Sequence, residues 1–291
     1  MTHNDRRTLL LDALTRLRRK VFRERQAVVL DFSRTVKMYA DGTLLFVAEL
    51  RRLIRETKGA VEVSCDVPAN DKIAQVLKQV GVFELLGTTC SVVPKDDDVV
   101  SWRYAHDKRV DGTKYDEVLG AYDGQMADAL TTQLYKGITE AMTNVVNHAY
   151  IEPRRDGLPE QADPEWWMFS REMDGTLGIV FCDLGAGIPV TLPVKKPSLW
   201  DTIVRLGNAS DAHVIAHAIQ DSISRTRASH RGKGLGQIVK AIDSVPRSEV
   251  LVLSNRGGFR RRNGTTNLMH YRDSIMGTMI MWRVPLDGGA A

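Results

Sequence analysis

Residues 125–150 read as one uninterrupted amphipathic helix, closed by Pro153 and a Pro-, Gly- and Asp-rich stretch that runs to Pro164. A helix of that length with one apolar stripe must bury the stripe against another layer, so the chain has to supply a sheet or further helices beside it. Within it, Ile138, Ala141, Met142, Val145 and Val146 supply apolar surface, while Glu140, Asn144 and His148 recur every four residues and share one polar face. Such a stripe describes a solvated face as well as a site. As a site, Asn144 offers an amide oxygen, a hard ligand suited to Mg²⁺. Glu140, one turn away, offers a carboxylate that could take a proton from an attacking oxygen.

The remainder of the chain alternates between periods of two and 3.6. Residues 27–32 and 60–65 read as buried strands, and residues 43–57 as a helix with Phe46, Leu50, Leu53 and Ile54 on one face. Asn70 and Asp71 offer a cap for a further helix through Ile73, Val76, Leu77 and Val80, with Gly81 placed to end it. Strand, helix, strand, helix implies a small parallel α/β unit over residues 26–94, with a third strand expected at 90–93 and a linker at 94–98. Ahead of it, residues 1–25 carry eight Arg or Lys against three acids, with Leu10, Leu14, Leu17 and Val21 at helical spacing. That basic amphipathic helix either packs on the chain's own body or meets a membrane surface, nucleic acid or partner protein. A second domain is expected over residues 99–287. It has a strand at 99–104, a short helix or loop at 115–123, and strands at 165–172 and 176–183 joined by the turn Met173-Asp174-Gly175. Helices are expected at 198–206, 211–224 and 235–243, and strands at 249–254 and 278–284.

Composition narrows the class. The chain has 291 residues, 43% of them hydrophobic and 26% charged, in the range of ordinary globular domains. Its longest apolar runs fall far short of the roughly 20 residues that cross a bilayer, and no leader pattern opens it, so the expectation is a cytoplasmic protein with no membrane span. Cys65, Cys90 and Cys182 are odd in number and far apart, which supports neither a disulfide framework nor a zinc knuckle. A formal charge of +4 does not by itself demand nucleic acid, which the arginine clusters at 16–25 and 260–262 leave open as an alternative. The second cluster reads as the solvated tip of a hairpin. His213 and His217 lie one turn apart as a metal pair would, but Val214 stands where a zinc protease needs glutamate.

Three further motifs carry chemistry. Asp183-Leu-Gly185-Ala-Gly187 follows an apolar strand; a carboxylate there can accept from an exocyclic amine, and the paired glycines let backbone pass close to a flat ring. Arg231-Gly232-Lys233-Gly234-Leu235-Gly236-Gln237 opens a helix, where unpaired N–H groups favour an anion. It is neither a Walker A loop nor a Rossmann fingerprint, because Gly234 follows Lys233 and Gln237 replaces the last glycine. Gly277-Thr278 enters the closing strand, with a hydroxyl able to reach a base directly or through water.

The ordered set of Glu140-x-x-x-Asn144, Asp183-x-Gly185-x-Gly187, Gly232-x-Gly234 and Gly277-Thr278 resembles the GHKL ATPase superfamily over about residues 115–286. The helix motif, continuing into His148-Ala149-Tyr150, is similar to that of the anti-sigma-factor serine kinases. The resemblance implies a Bergerat two-layer α/β sandwich with helices on one face of a mixed sheet, and ATP with Mg²⁺ as ligands. Asn144 would bind the metal, Asp183 the adenine amine, and Gly185 and Gly187 would shape the base pocket. Gly232, Lys233, Gly234, Leu235 and Gly236 would cradle phosphates, Thr278 would support the adenine contact, and Glu140 would be the general base. Residues 189–231 would form a lid. A histidine kinase is disfavoured, because an α/β unit occupies the place of the dimerising helix pair. Residues 27–93 resemble a STAS domain in element order, with Asp41 where that family carries its phosphorylatable serine, unless Asp41-Gly42 is a plain turn. The expected activity is ATP hydrolysis or phosphoryl transfer to a protein hydroxyl, with a protein partner at the STAS-like unit. The alternative is a nucleotide-gated interaction module with negligible turnover. Dimerisation, common in the superfamily, stays open.

Overall fold

A computed structural model describes residues 4–158, 163–225, 235–236, 239, 242 and 245–286. The chain is a mixed α/β protein with two compact units, Met1–Tyr104 with Phe169–Glu172, and Ala105–Met168 with Met173–Ala291.

The first unit opens with helix α1 (Asn4–Arg18), extended by one wider turn over Arg19–Arg23. Leu11, Leu14, Leu17 and Val21 are buried, and the helix packs on α2 (Ala40–Thr57), so its apolar stripe belongs to the chain's own core. The pair is pinned by a buried ion pair, Arg18 Nη1 to Glu49 Oε1 at 3.0 Å. Strand β1 (Val28–Leu30) pairs in parallel with β2 (Val63–Cys65), matching Val28 with Val63 and Leu30 with Cys65. Both strands are shorter than the sequence implies. Helix α3 (Asp71–Gln79) starts where expected, with the Asn70 side chain accepting from the Ile73 N–H at 3.2 Å. Gly81, at φ 74°, turns the chain into a short helix α4 (Val82–Leu86) absent from the sequence reading. The expected strand at 90–93 does not form: the segment is irregular, and Val93 is exposed. Helix α5 (Asp97–Val100) takes the expected linker's end, which moves the next strand, β3 (Arg103–Asp107), towards the C-terminus. Asp41 sits in the first turn of α2, its Oδ1 accepting from the Gly42 N–H at 2.8 Å, so Asp41-Gly42 is a helix start and not a free turn.

In the second unit α6 (Lys114–Leu119) precedes α7 (Asp128–Asn144), whose last turn widens to a π-type turn over Val145–Ala149. Strand β4 (Trp166–Met173), of which Phe169–Glu172 count with the first unit, and β5 (Thr176–Asp183) are joined by Asp174 and Gly175, both at positive φ as a two-residue hairpin turn requires. Three helices follow: α8 (Ile188–Lys195), α9 (Pro197–Arg205) and α10 (Asp211–Arg225). The unit closes with β6 (Glu249–Ser254), β7 (Gly257–Arg262), β8 (Thr265–His270) and β9 (Thr278–Pro285). The seven-stranded sheet has the order β3-β4-β5-β9-β6-β7-β8. Its β5–β9, β9–β6, β6–β7 and β7–β8 pairings are all antiparallel, which corrects the expectation of a mixed sheet.

Alternation along the central strands explains where the core lies. Leu177, Ile179 and Phe181 of β5, Val250 and Val252 of β6, and Ile280, Trp282 and Val284 of β9 face one side. There they meet Leu134, Ile138, Ala141, Met142 and Val145 of α7 with Ile215 and Ile219 of α10. Arg260, Arg261 and Arg262 are not a hairpin tip: they lie within β7, and the tip is Asn263-Gly264, both at positive φ. Arg260 instead pairs across the sheet with Glu249 at 2.7 Å. Among the described residues no helix is long and apolar enough to cross a membrane.

Candidate functional site

Once α7 commits its apolar stripe to the sheet, its polar stripe is left along one edge. Glu140, Asn144 and His148 all border one cavity of about 390 Å³. The opposite walls come from α8 (Ile188, Thr191, Leu192, Lys195), α10 (Ala218, Ser222) and Leu235. The sheet contributes an apolar floor, Phe181 and Ile280, ending in the polar pair Asp183 and Thr278. The volume suits a ligand of nucleotide size, and the mixture of apolar walls with a few polar groups is typical of small-molecule sites.

The polar end of the floor is a row across three strands. Antiparallel register sets Asp183 opposite Thr278 and Thr278 opposite Ser254. The Ser254 and Thr278 hydroxyls are 3.1 Å apart, and Asp183 accepts from the Gly185 N–H at 2.9 Å. Only 6% of Asp183 is exposed. Burial lifts its carboxyl to about pKa 6, against the opposing pull of hydrogen bonds from Gly185 and Thr278 and of the nearby Arg154 charge. It is a desolvated acceptor at the base of a cavity.

The glycines beside it are there for space. A Cβ on Gly185 would lie 2.3 Å from the carbonyl oxygen of Ala149, where the loop crosses the end of α7, and the Ala186 N–H donates to that same oxygen at 2.8 Å. Gly187, at φ 86°, turns into α8 with no room for a Cβ, which would meet the Asn255 amide at 2.6 Å. Tyr150 ties the motifs together: its buried hydroxyl donates to the Glu165 carbonyl at 2.8 Å and accepts from the Leu184 N–H at 3.2 Å. Burial pushes its own ionisation well above the ordinary tyrosine range, so it stays a neutral strut.

Glu140 is half-buried and makes no hydrogen bond or ion pair with the described residues; desolvation raises its pKa above the ordinary glutamate value. A carboxylate so placed is a better base than an exposed one. His148 is shifted the other way, its protonation disfavoured by desolvation and then by Lys195. Lys196 is held by Asp221 at 2.6 Å, whereas Lys195 is exposed and has no partner among the described residues.

Of the residues singled out in the sequence, the cavity brings together Glu140, Asn144, Asp183, Gly187, Leu235 and Thr278. Gly185 does not border it. Gly236 is turned towards α10, its N–H donating to Ser222 Oγ at 3.2 Å and an added Cβ falling 2.7 Å from Ile223. Close helix packing accounts for that glycine. Gly232, Lys233 and Gly234 lie outside the described residues. Sequence reasoning missed Thr191 and Lys195 as wall residues; the only signal for them was two lysines following the Pro189-x-x-x-Pro193 segment. The His213 and His217 metal reading does not survive: both ring nitrogens of His213 are engaged, with Asn208 and Ser210 at 2.8 Å each. Among the described residues no cluster of three His, Cys, Asp or Glu converges as a metal site. Compared with models of known protein families and with curated proteins, the chain matches none.

Proposed function

We propose that this chain is a Mg²⁺-ATP-binding protein of the GHKL kind that hydrolyses ATP or passes its terminal phosphoryl group to a protein hydroxyl. The observation that carries the reading is convergence. Glu140, Asn144, Asp183 and Thr278 come from segments spread over more than a hundred residues and border one cavity of nucleotide size. The two-layer part of the Bergerat reading is supported by helices α7 and α10 packed on one face of the seven-stranded sheet.

In this reading Asp183, ionised, accepts from the adenine amine, with Thr278 alongside and Phe181 and Ile280 against the base. Lys195, with no ion-pair partner among the described residues, offers its positive charge to the phosphates. A single neutral oxygen, that of Asn144, is too little to hold a metal alone; it fits Mg²⁺, which completes its shell from substrate phosphates and water. The ion, when bound, neutralises phosphate charge. Glu140, with its raised pKa and no competing partner among the described residues, takes the proton of the attacking water or hydroxyl. For residues 26–94 we infer a STAS-like docking unit for a protein partner, supported by the order β1-α2-β2-α3 and the parallel strand pair, and for the whole chain a cytoplasmic setting.

The test is γ-labelled ATP with Mg²⁺, following the label in the wild type, Glu140→Ala and Asn144→Ala. Phosphate release, or label on protein, should fall by at least about 100-fold in Glu140→Ala while ATP is still bound. Turnover that persists in Glu140→Ala removes its role as base. ATP bound without turnover in the wild type makes the chain a nucleotide-gated interaction module, and absence of ATP binding overturns the reading.

A further inference from the structure

The second unit holds another cavity, of about 550 Å³, on the far side of the glycine loop. Ala186 and Asn255 line it, while the next residue, Gly187, borders the first cavity. Its cations come from separate segments: Arg155 after the π-type turn, and Arg256 in the turn between β6 and β7. Both are exposed, and neither guanidinium has an ion pair among the described residues. The other charges are already committed. Arg154 donates from Nε to the Met276 carbonyl at 2.6 Å and faces Asp156 at 3.4 Å, and Asp211, the acid in the described lining, accepts from the Arg256 backbone N–H at 2.9 Å.

The rest of the wall is organic in character. Val190 and Met276 are apolar, His270 and Tyr271 are flat rings, and Ser210 and Ser274 carry hydroxyls. The frame is fixed by backbone bonds, Tyr271 N–H to the Arg256 carbonyl at 2.8 Å and Ile275 N–H to the Asn255 carbonyl at 3.0 Å, so the loop after β8 wraps the turn that presents Arg256. Two uncommitted guanidiniums beside apolar and aromatic surface match a small organic molecule carrying a doubly charged phosphate, since guanidinium pairs with phosphate through two parallel hydrogen bonds.

We infer that this second cavity binds a small organic phosphomonoester through Arg155 and Arg256. The site is coupled to the first cavity through Ser254 and Asn255. The Asn255 amide donates to the Ala186 carbonyl at 2.9 Å, and Ser254 Oγ accepts from the Ile188 N–H at 2.9 Å while touching the Thr278 hydroxyl. A ligand drawn to Arg256 therefore bears on the same turn that holds the glycine loop. The coupling rests on the nucleotide reading; the binding does not.

The experiment is calorimetric titration of the full chain with phenyl phosphate at constant ionic strength and about pH 7.5, where a phosphomonoester is mostly doubly charged, beside phenol, inorganic phosphate and ATP. Phenyl phosphate should bind saturably and phenol should not. Arg155→Ala/Arg256→Ala should lose at least about tenfold in affinity, with its circular dichroism and ATP affinity in the absence of phenyl phosphate unchanged. Equal affinity in the double variant overturns the assignment, as does one-for-one displacement of phenyl phosphate by ATP, which would put both in the first cavity. Inorganic phosphate binding as tightly as phenyl phosphate overturns the organic part of the ligand. Because phenyl phosphate is titrated separately, a failure of ATP to bind leaves this result readable on its own.

Discussion

Replacing Asp183 by asparagine should change the pH dependence of stability in a defined direction. The carboxyl is buried and its folded-state pKa is lifted to about 6 from an ordinary 3.8. Between those two values the folded chain holds a proton that the unfolded chain has released, so stability falls as pH rises through the window. Below pH 3.8 the neutral carboxyl costs nothing extra; above about pH 6 the full desolvation of the charge is felt. At about 1.4 kcal/mol per pH step between the two values, the difference is about 3 kcal/mol. The substituted amide cannot ionise, so the stability of Asp183→Asn minus that of the wild type should climb by about 3 kcal/mol between about pH 3 and about pH 7. A constant offset, from exchanging one carboxylate acceptor for an amide, is superimposed. Urea unfolding of both proteins at intervals across that range measures the curve. A difference that stays flat with pH would refute the argument, because it would mean that Asp183 ionises in the folded chain as easily as in water.

The same logic of space and charge yields other outcomes. Gly185→Ala, with its Cβ directed at the Ala149 carbonyl, should lower stability by about 3 kcal/mol or more, whereas Gly124→Ala, which meets nothing but sits at φ 73°, should cost only about 1 kcal/mol; thermal melts compare them. Lys195→Ala should weaken ATP by about tenfold and leave adenosine unaffected, read by equilibrium dialysis, because only the phosphates reach that charge. In the first unit, Arg18→Ala removes a buried charged hydrogen bond to Glu49 and should cost about 1.5 to 3 kcal/mol in urea unfolding.

Strong periodicity made some of the fold legible. The β4–β5 hairpin was visible because alternating strands flank a dipeptide that tolerates positive φ, and the start of α3 because Asn70 is a good cap. Where the physics was carried by distant neighbours, the sequence misled. Thr265, Thr266 and Asn267 form an edge strand whose side chains are exposed, so β8 shows no apolar alternation. Helix α8 hid behind Pro189 and Pro193, the first of which sits in the opening turn where a missing N–H is harmless. Residues 90–93 have strand composition but find no neighbouring strand among the described residues. The polar half of the candidate site was readable because Glu140, Asn144 and Asp183 are chemically conspicuous. Lys195 was not, since nothing local distinguishes a lysine aimed at a cavity from one in solvent. Gly236 shows a different limit: its close approach to Ile223 of α10 demands a glycine, and nothing in the sequence separates that demand from one made by an anion.

The crossing of the glycine loop over the end of α7 ties two walls of the first cavity together. With the Ala186 amide bonded to the Ala149 carbonyl, and no atom's width to spare at Gly185, the floor and the α7 side move as one piece. On the opposite wall α10 is fastened to the sheet through Ile215 and Ile219, and its other face shares a small core, Val214 and Ala218, with Leu192 of α8 and Ile203 of α9. A substitution at Gly185 therefore acts on the floor and the α7 wall together, whereas one at Leu192 or Ile203 acts on α8 and α9 and leaves the floor as it is. The two can be altered independently.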